Sequence, residues 1–253
     1  MNKILVVLAN GMLTVAAFGA SASSDNTLAA QAKMQMPQAR SMALNAYPGK
    51  ITAAASGKST TAPVPANEKL LAAAEPFENL TEMAFASTWA KIDHTMAEAE
   101  IAAAGTRQSV AQNKVGKLDT QLAAMKSARR KQDRADLALS SIEVYRVLVS
   151  SVTDSARIPT EVSLLDYAGF RYNADLKSSP IRWDDMAKTI DFAHQQWAPI
   201  APRLKGTAVA KRFEKAVDTM DRAVRLKNHS LAASSVRSES DLVDELEKYF
   251  STH

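Results

Sequence analysis

Cysteine does not occur among the 253 residues of this chain. Its absence excludes disulfides, thiolate metal sites, Fe–S clusters, thioether-linked haem and a catalytic thiol. Glycine (8) and proline (9) are scarce and aromatic residues make up 6% of the chain. β-Sandwiches and barrels need many turns and many β-branched or aromatic strand residues, so they are poor candidates. Also missing are a Gly-rich phosphate loop, a strand-turn-helix dinucleotide fingerprint and a Gly-x-Ser-x-Gly elbow. An excess of one charge is lacking too: 31 Lys and Arg face 27 Asp and Glu, interspersed along the chain. A net charge of +4 gives no footprint for nucleic acid. What remains abundant is Ala, Leu, Lys, Glu and Gln, which are helix formers, so an all-α fold is expected.

Long apolar runs are also rare, and the one near the start is short. Met1-Asn2-Lys3 precedes an apolar stretch from Ile4 to Phe18, and Gly19-Ala20-Ser21-Ala22 follows. One positive charge, a short apolar centre and an Ala-x-Ala end predict a secretory signal peptide over residues 1–22, cut after Ala22. Fifteen residues are short for a bilayer, and no charged stop follows them. Without cysteine there is no lipoprotein anchor, and no later run is long enough for a transmembrane segment. The expected location is periplasmic or secreted.

Residues 23–66 are rich in Ala, Ser, Thr and Gln and end in Ala62-Pro63-Val64-Pro65-Ala66, which favours extended backbone over helix. This segment reads as a disordered, low-complexity tether. Inside it, Ala39 to Ile51 carries a short helical pattern, then Pro48-Gly49-Lys50, then Ile51. That opening resembles the start of PepSY domains, which implies a helix, a turn and a strand. The resemblance stops at Ile51, because Thr52 to Thr61 lacks the alternating apolar residues of the hairpin that follows in those domains.

From residue 67 to 253 a helical period takes over. Phe85, Trp89, Ile92, Met96, Ala99 and Ala103 fall on one stripe, with Pro76 suited to the first turn of that helix and Gly105 to its stop. Val115, Leu118, Leu122 and Met125 form a second stripe. It runs into the polar segment Lys126 to Arg134, which reads either as a turn between helices or as one exposed face of a longer helix. A third helix carries Leu137, Leu139, Ile142, Val144, Leu148 and Val152 and ends near Pro159. Thr160 is positioned to cap the next, whose stripe is Val162, Leu165, Gly169, Tyr172 and Leu176. Glycine at a stripe position predicts either close approach by a neighbouring helix or a bend. Ser179-Pro180 reads as cap and first turn for a helix bearing Trp183, Met186, Ile190, Ala193 and Trp197. Val209, Phe213, Ala216, Met220 and Ala223 follow, and Ser238 to Asp241 read as the acidic start of a last helix. Narrow stripes bury best against parallel or antiparallel neighbours. The expectation is an up-and-down helical bundle with four main helices plus shorter additions.

Side chains able to carry chemistry are few. His94 and Glu98 stand four apart but opposite the apolar stripe, facing solvent. Asp191 and His194, three apart between two tryptophans, flank a stripe and are the candidate metal ligands. A bundle metal site needs matching carboxylates from facing helices, and a second Asp-x-x-His or Glu-x-x-His does not occur. Met96, Met125, Met186 and Met220 sit on stripes, where thioethers usually fill core space, while Met34, Met36 and Met42 lie in the tether. Leu164 to Tyr172 is the densest mixture of aromatic and charged residues; Asp166 within it lies beside a stripe and needs a partner if buried, and with Glu143 and Arg146 on the preceding helix the candidate is Arg146 or another basic or tyrosyl group. The basic run Lys126 to Arg134 reads as a solvated helix end rather than a surface for anionic polymer. The reading that follows is an exported, non-enzymatic binding or accessory protein with an envelope protein as partner and no cofactor. The alternative is a bundle holding a divalent metal or haem through Asp191, His194 and tether methionines. No pair of residues has the spacing of a nucleophile with its base, so an enzyme ranks third.

Overall fold

The computed structural model describes residues 66–153 and 158–252. The expected signal peptide, the expected tether up to Pro65 with its PepSY-like stretch and its methionines, residues 154–157 and His253 lie outside the described residues; Ala66, expected as the end of the tether, opens the first helix. Within them the chain is all-helical, as composition predicts, and no strand occurs. In place of four main helices with shorter additions there are eight of similar length. They are α1 (Ala66–Ala86), α2 (Trp89–Thr106), α3 (Gln112–Lys131), α4 (Arg134–Val149), α5 (Thr160–Leu176), α6 (Trp183–Ile200), α7 (Ala208–Arg225) and α8 (His229–Thr252). Two short 3-10 turns, Arg107–Ser109 and Ala201–Leu204, continue α2 and α6.

Two apolar cores organise these helices. One collects Leu70, Phe77, Leu80, Ile92, Leu118, Met125, Leu137, Ile142 and Leu148 from α1 to α4. The other collects Leu165, Tyr172, Met186, Trp197, Phe213, Met220, Val243 and Leu246 from α5 to α8. Helix α5 serves both, because Tyr167, Phe170 and Ala174 face the first core while Leu165, Ala168 and Tyr172 face the second. In α4 the apolar face is so wide that most of the helix is buried. A charged residue on α4 is therefore held inside the fold unless it points at a gap between neighbours.

Several helix ends differ from the sequence reading, each for a local reason. The stripe from Phe85 to Ala103 belongs to two helices, because the Thr88 side chain accepts a hydrogen bond from Lys91 N at 3.5 Å and restarts the chain as α2. Pro76 lies in the middle of α1, where burial of Leu70, Ala73, Ala74 and Phe77 outweighs the lost backbone bond. Pro159 rather than Thr160 holds the cap position of α5, in extended backbone with φ −56° and ψ 138°. Ser179 and Pro180 lie in the turn before α6, which starts at Trp183; the backbone N–H groups of Ser178 and Arg182 hold that turn by donating to Asp175 O at 3.3 and 3.2 Å. Ser238 to Asp241 sit inside α8, whose cap is Asn228, accepting from Leu231 N at 3.0 Å.

Gly169 does mark a close approach. A Cβ at this position would lie 2.2 Å from Glu239 Oε2 and 3.3 Å from Ser240 Oγ of α8. The segment Lys126 to Arg134 ends α3 at Lys131, turns at Gln132-Asp133 and starts α4 at Arg134, with Gln132 in the left-handed region (φ 57°) and Asp133 accepting from Asp136 N at 2.9 Å. Two of its three arginines have structural tasks. Arg129 and Arg134 stack on the Trp89 ring at 4.6 and 4.5 Å from its centroid, and Arg134 donates to Ser87 O at 3.1 Å, and to Ala84 O, at the end of α1. Along α2 and α3, ion pairs Asp93–Arg129, Glu100–Lys126 (2.7 Å) and Asp119–Arg107 descend one helix as they climb the other. The two helices are thus antiparallel. No helix among the described residues is long and apolar enough to cross a membrane.

Candidate functional site

A cavity of about 600 Å³ opens between α3, α4, α5 and the turn that follows α5. Helix α3 contributes Lys117, Gln121, Ala124, Ala128 and Lys131, spaced four, three, four and three, so that they share one face. Ala124 and Ala128 keep the middle of that face low, which leaves the concavity. Helix α4 contributes Asp136, Ser140, Glu143 and Arg146 from its one polar stripe, and Arg171 of α5 and Arg182 close the far side. Five cationic and two anionic side chains line the space.

Glu143 is the hub. Its carboxyl is buried, and four groups from three helices converge on it. Oε1 accepts the Tyr167 hydroxyl hydrogen at 2.5 Å and a close hydrogen bond from Arg171 Nη1. Oε2 accepts from Arg146 Nη2 at 2.7 Å and Nε at 3.2 Å, and Lys117 Nζ lies 3.2 Å away. Arg146 also lies over the Tyr167 ring, 5.2 Å from its centroid, and Phe192 meets that ring edge-on at 5.2 Å. Burial pushes the Tyr167 hydroxyl well above its usual range, and the Glu143 carboxylate adds to that, so the phenol is a hydrogen-bond donor and not a base. Although burial acts against it, Arg171 is held charged by Glu143 and Asp175. At the edge of the cavity Arg182 Nη2 pairs with Asp136 Oδ1 at 2.5 Å.

Behind this lining lies Asp175, one turn beyond Arg171 on α5. It is completely buried, and neither carboxyl oxygen accepts a hydrogen bond among the described residues. Its ion pair is with Arg171 Nε, at 3.8 Å from Oδ2. Burial, opposed by Arg171 and reinforced by Asp185 and Glu143, raises the carboxyl to about 6. Arg171 therefore holds two carboxylates at once, one in the cavity wall and one beneath it.

The side chains singled out from the sequence fall elsewhere or take other partners. Asp191 and His194 are both exposed on α6. His94 Nε2 lies 3.4 Å from Glu98 Oε1, and both side chains are exposed. Among the described residues no three His, Asp or Glu side chains gather in a way that would hold a metal ion. Met96, Met125, Met186 and Met220 are buried in the two cores. Asp166 is buried, as a residue beside a stripe should be, but the carboxylate that Arg146 engages is Glu143 of its own helix. Sequence reasoning singled out the segment holding Arg171 and the helix holding Glu143 but centred the pair on Asp166, and it missed Lys117 and Asp175 because it followed apolar stripes. The signal was a polar one: Lys117-Gln121-Ala124-Ala128-Lys131 and Tyr167-Arg171-Asp175 keep the helical period just as strictly.

Comparison with protein-family models, curated proteins and solved structures found no match.

Proposed function

We propose that this chain is an exported, non-enzymatic binding protein of the cell envelope, and that its helical domain takes a small anionic ligand in the cavity between α3, α4 and α5. The observation that carries the reading is the convergence of Lys117, Arg146 and Arg171, from three different helices, on one wall of an open cavity that Lys131 and Arg182 also line. Guanidinium groups held by packed helices are preorganised donors for carboxylate, phosphate or sulfate, so little ordering cost remains when the anion arrives. The lining includes no histidine, and Asp136 and Glu143 are both engaged by cations, which favours holding an anion over transforming one. Export rests on Lys3, the apolar run Ile4 to Phe18 and the Ala20-Ser21-Ala22 end.

The test is a thermal-shift survey of small anions at constant ionic strength, with elemental analysis of the purified protein. Sulfate or phosphate should raise Tm well beyond an equal ionic strength of chloride, and Lys117→Gln or Arg182→Gln should remove the excess. Sulfate stabilises most folded proteins by exclusion from their surfaces, so only the part lost in these variants counts as binding. Equal shifts in wild type and variants would overturn the reading. Metal or haem present in stoichiometric amount would replace it with a cofactor-binding one.

A further inference from the structure

The arrangement of Arg171 between two carboxylates carries a consequence for how an anion is taken up. We propose that the cavity binds a small dianion together with one proton, the proton going to the carboxyl of Asp175. This rests on the anion-binding reading above and adds the charge of the ligand and its coupling to pH.

Charge balance points to two charges on the ligand. Lys117, Lys131, Arg146, Arg171 and Arg182 supply five positive charges to the lining, against Asp136 and Glu143 in the lining and Asp175 behind it. The surplus is two when Asp175 is ionised and three when it is neutral, so a sulfate, a phosphate monoester or a small dicarboxylate offsets most of it in either state. A monoanion would leave one charge, or two with Asp175 neutral, uncompensated inside a partly dehydrated cavity.

Coupling to a proton follows from geometry. Arg171 reaches Glu143 through Nη1 and Asp175 through Nε, and Asp175 has neither a hydrogen bond among the described residues nor any exposure to water. An anion that draws the Arg171 guanidinium toward itself weakens the one ion pair that compensates Asp175. An incoming negative charge on the same side adds repulsion. Both effects favour the neutral carboxyl, and a group already poised at about 6 takes the proton readily. The other charges acting on Asp175 are Arg182 in the turn, Asp185 of α6, which is paired with Lys188 at 2.8 Å, and Glu143 of α4. On the sides of α1 and α8, Glu82 and Arg237 act on the neighbouring Lys177. By linkage, proton uptake on binding means that the anion binds more tightly as pH falls.

Isothermal titration of the folded protein with sodium sulfate tests this, because sulfate keeps both charges throughout the range used. Between about pH 8 and about pH 5 the Kd for sulfate should fall by about tenfold, the size expected for removing one nearby charge. In two buffers of different ionisation enthalpy, titration should show net uptake of a fraction of a proton per sulfate, largest between about pH 6 and about pH 7, where a tenfold change in Kd corresponds to about half a proton. Nitrate, as a monoanion, should bind far more weakly. Asp175→Asn should keep sulfate binding and lose both the pH dependence and the proton uptake; should that variant not fold, the two-buffer measurement on the wild type decides alone. Sulfate binding that Lys117→Gln weakens, yet with a constant Kd across this range and no proton uptake, would overturn the coupling and leave the binding reading intact. No sulfate binding at any pH would overturn both.

Discussion

The two cores of this domain are stabilised by different means. In α5 to α8 the helices are held by apolar and aromatic stripes: Trp197 stacks on Phe213 with centroids 4.6 Å apart, and the Tyr172 hydroxyl closes the interior by donating to Met220 O at 3.2 Å. In α1 to α4 an apolar core of similar extent is overlaid by charge, with ion pairs joining α2 to α3 and the Glu143 cluster joining α3, α4 and α5. Both halves bury a carboxylate, Glu143 on α4 and Glu239 on α8. What sets the first half apart is that three cations from three helices converge on Glu143, and a hydrophobic replacement of such an ion cluster is often no less stable. The contrast suggests a scaffold in one half and a site in the other, joined by α5.

The largest expected effect falls on the scaffold. Phe213 is fully buried against Trp197, and Phe213→Ala should lose about 3–5 kcal/mol through lost burial and the cavity left behind. Urea unfolding followed by fluorescence checks it. Trp89 reports the first core, and Trp183 and Trp197 pack at the second. Because α5 packs in both, a single transition should be seen with Trp89 alone as with the others. Separate midpoints would break the comparison by making the halves independent units.

Next comes the hub of the site. Glu143→Ala leaves Lys117, Arg146 and Arg171 facing one another, and should destabilise by about 3 kcal/mol in low salt. Unlike Phe213→Ala, this loss should be partly recovered by sulfate, which can stand where the carboxylate was. If sulfate restores nothing, the cations are a structural cluster and the functional half of the comparison fails.

Asp175 gives an effect of the opposite sign. Its folded carboxyl is raised to about 6 from an unfolded value near 4, so the contribution to stability is greatest below about pH 4 and is lost as pH rises through about 6. The loss amounts to roughly 2–3 kcal/mol at neutral pH. Asp175→Asn should flatten stability between about pH 4 and pH 7 and raise it at about pH 8, as read by urea midpoints across that range. A wild-type curve without this fall would mean that Arg171 compensates the buried carboxylate fully.

Gly169 joins the two halves at closest range, on α5 against α8. Gly169→Ala gains helix propensity but drives a methyl into Glu239 Oε2, an oxygen that cannot retreat to solvent because Glu239 is buried. Strain of this kind costs about 1–3 kcal/mol, more than the roughly 1 kcal/mol gained from replacing glycine in a helix. A net loss in thermal unfolding is expected.

How much of this was legible beforehand divides along the same line. Apolar stripes such as Leu165-Gly169-Tyr172-Leu176 and Phe213-Ala216-Met220 state which face is buried, and the structure buries them. Helix ends were less legible. Thr88 and Asn228 compete with Pro76 and Ser238 as start signals, and tertiary burial decides among them. The site was least legible of all. Glu143 lies in an apolar helix next to an arginine that looks like a partner for Asp166, and only the packing of α3 against α4 brings Lys117 to it. Spacing within one helix could show that Arg171 and Asp175 share a face; which helix stands opposite was not written in it.

The smallest effect separates exposed charge from buried charge within the first half. Lys126 and Glu100 form a 2.7 Å pair between α3 and α2, with the lysine half exposed. Such a pair gains little Coulomb energy in water and loses side-chain freedom, so Lys126→Ala should change stability by about 0.2–1 kcal/mol. That change should shrink further in high salt, because screening reaches exposed pairs within the Debye length. Glu143→Gln, in contrast, should keep more of its effect when chloride is raised, since the Glu143 carboxyl is buried and Arg146 and Arg171 are largely covered, although Lys117 is about as exposed as Lys126. Measuring both variants in low and high chloride thus asks whether the charges of α1 to α4 form one class or two. If the Glu143 effect decays with chloride as fast as the Lys126 effect, the cluster is ordinary surface electrostatics and no preorganised anion site is needed to account for it.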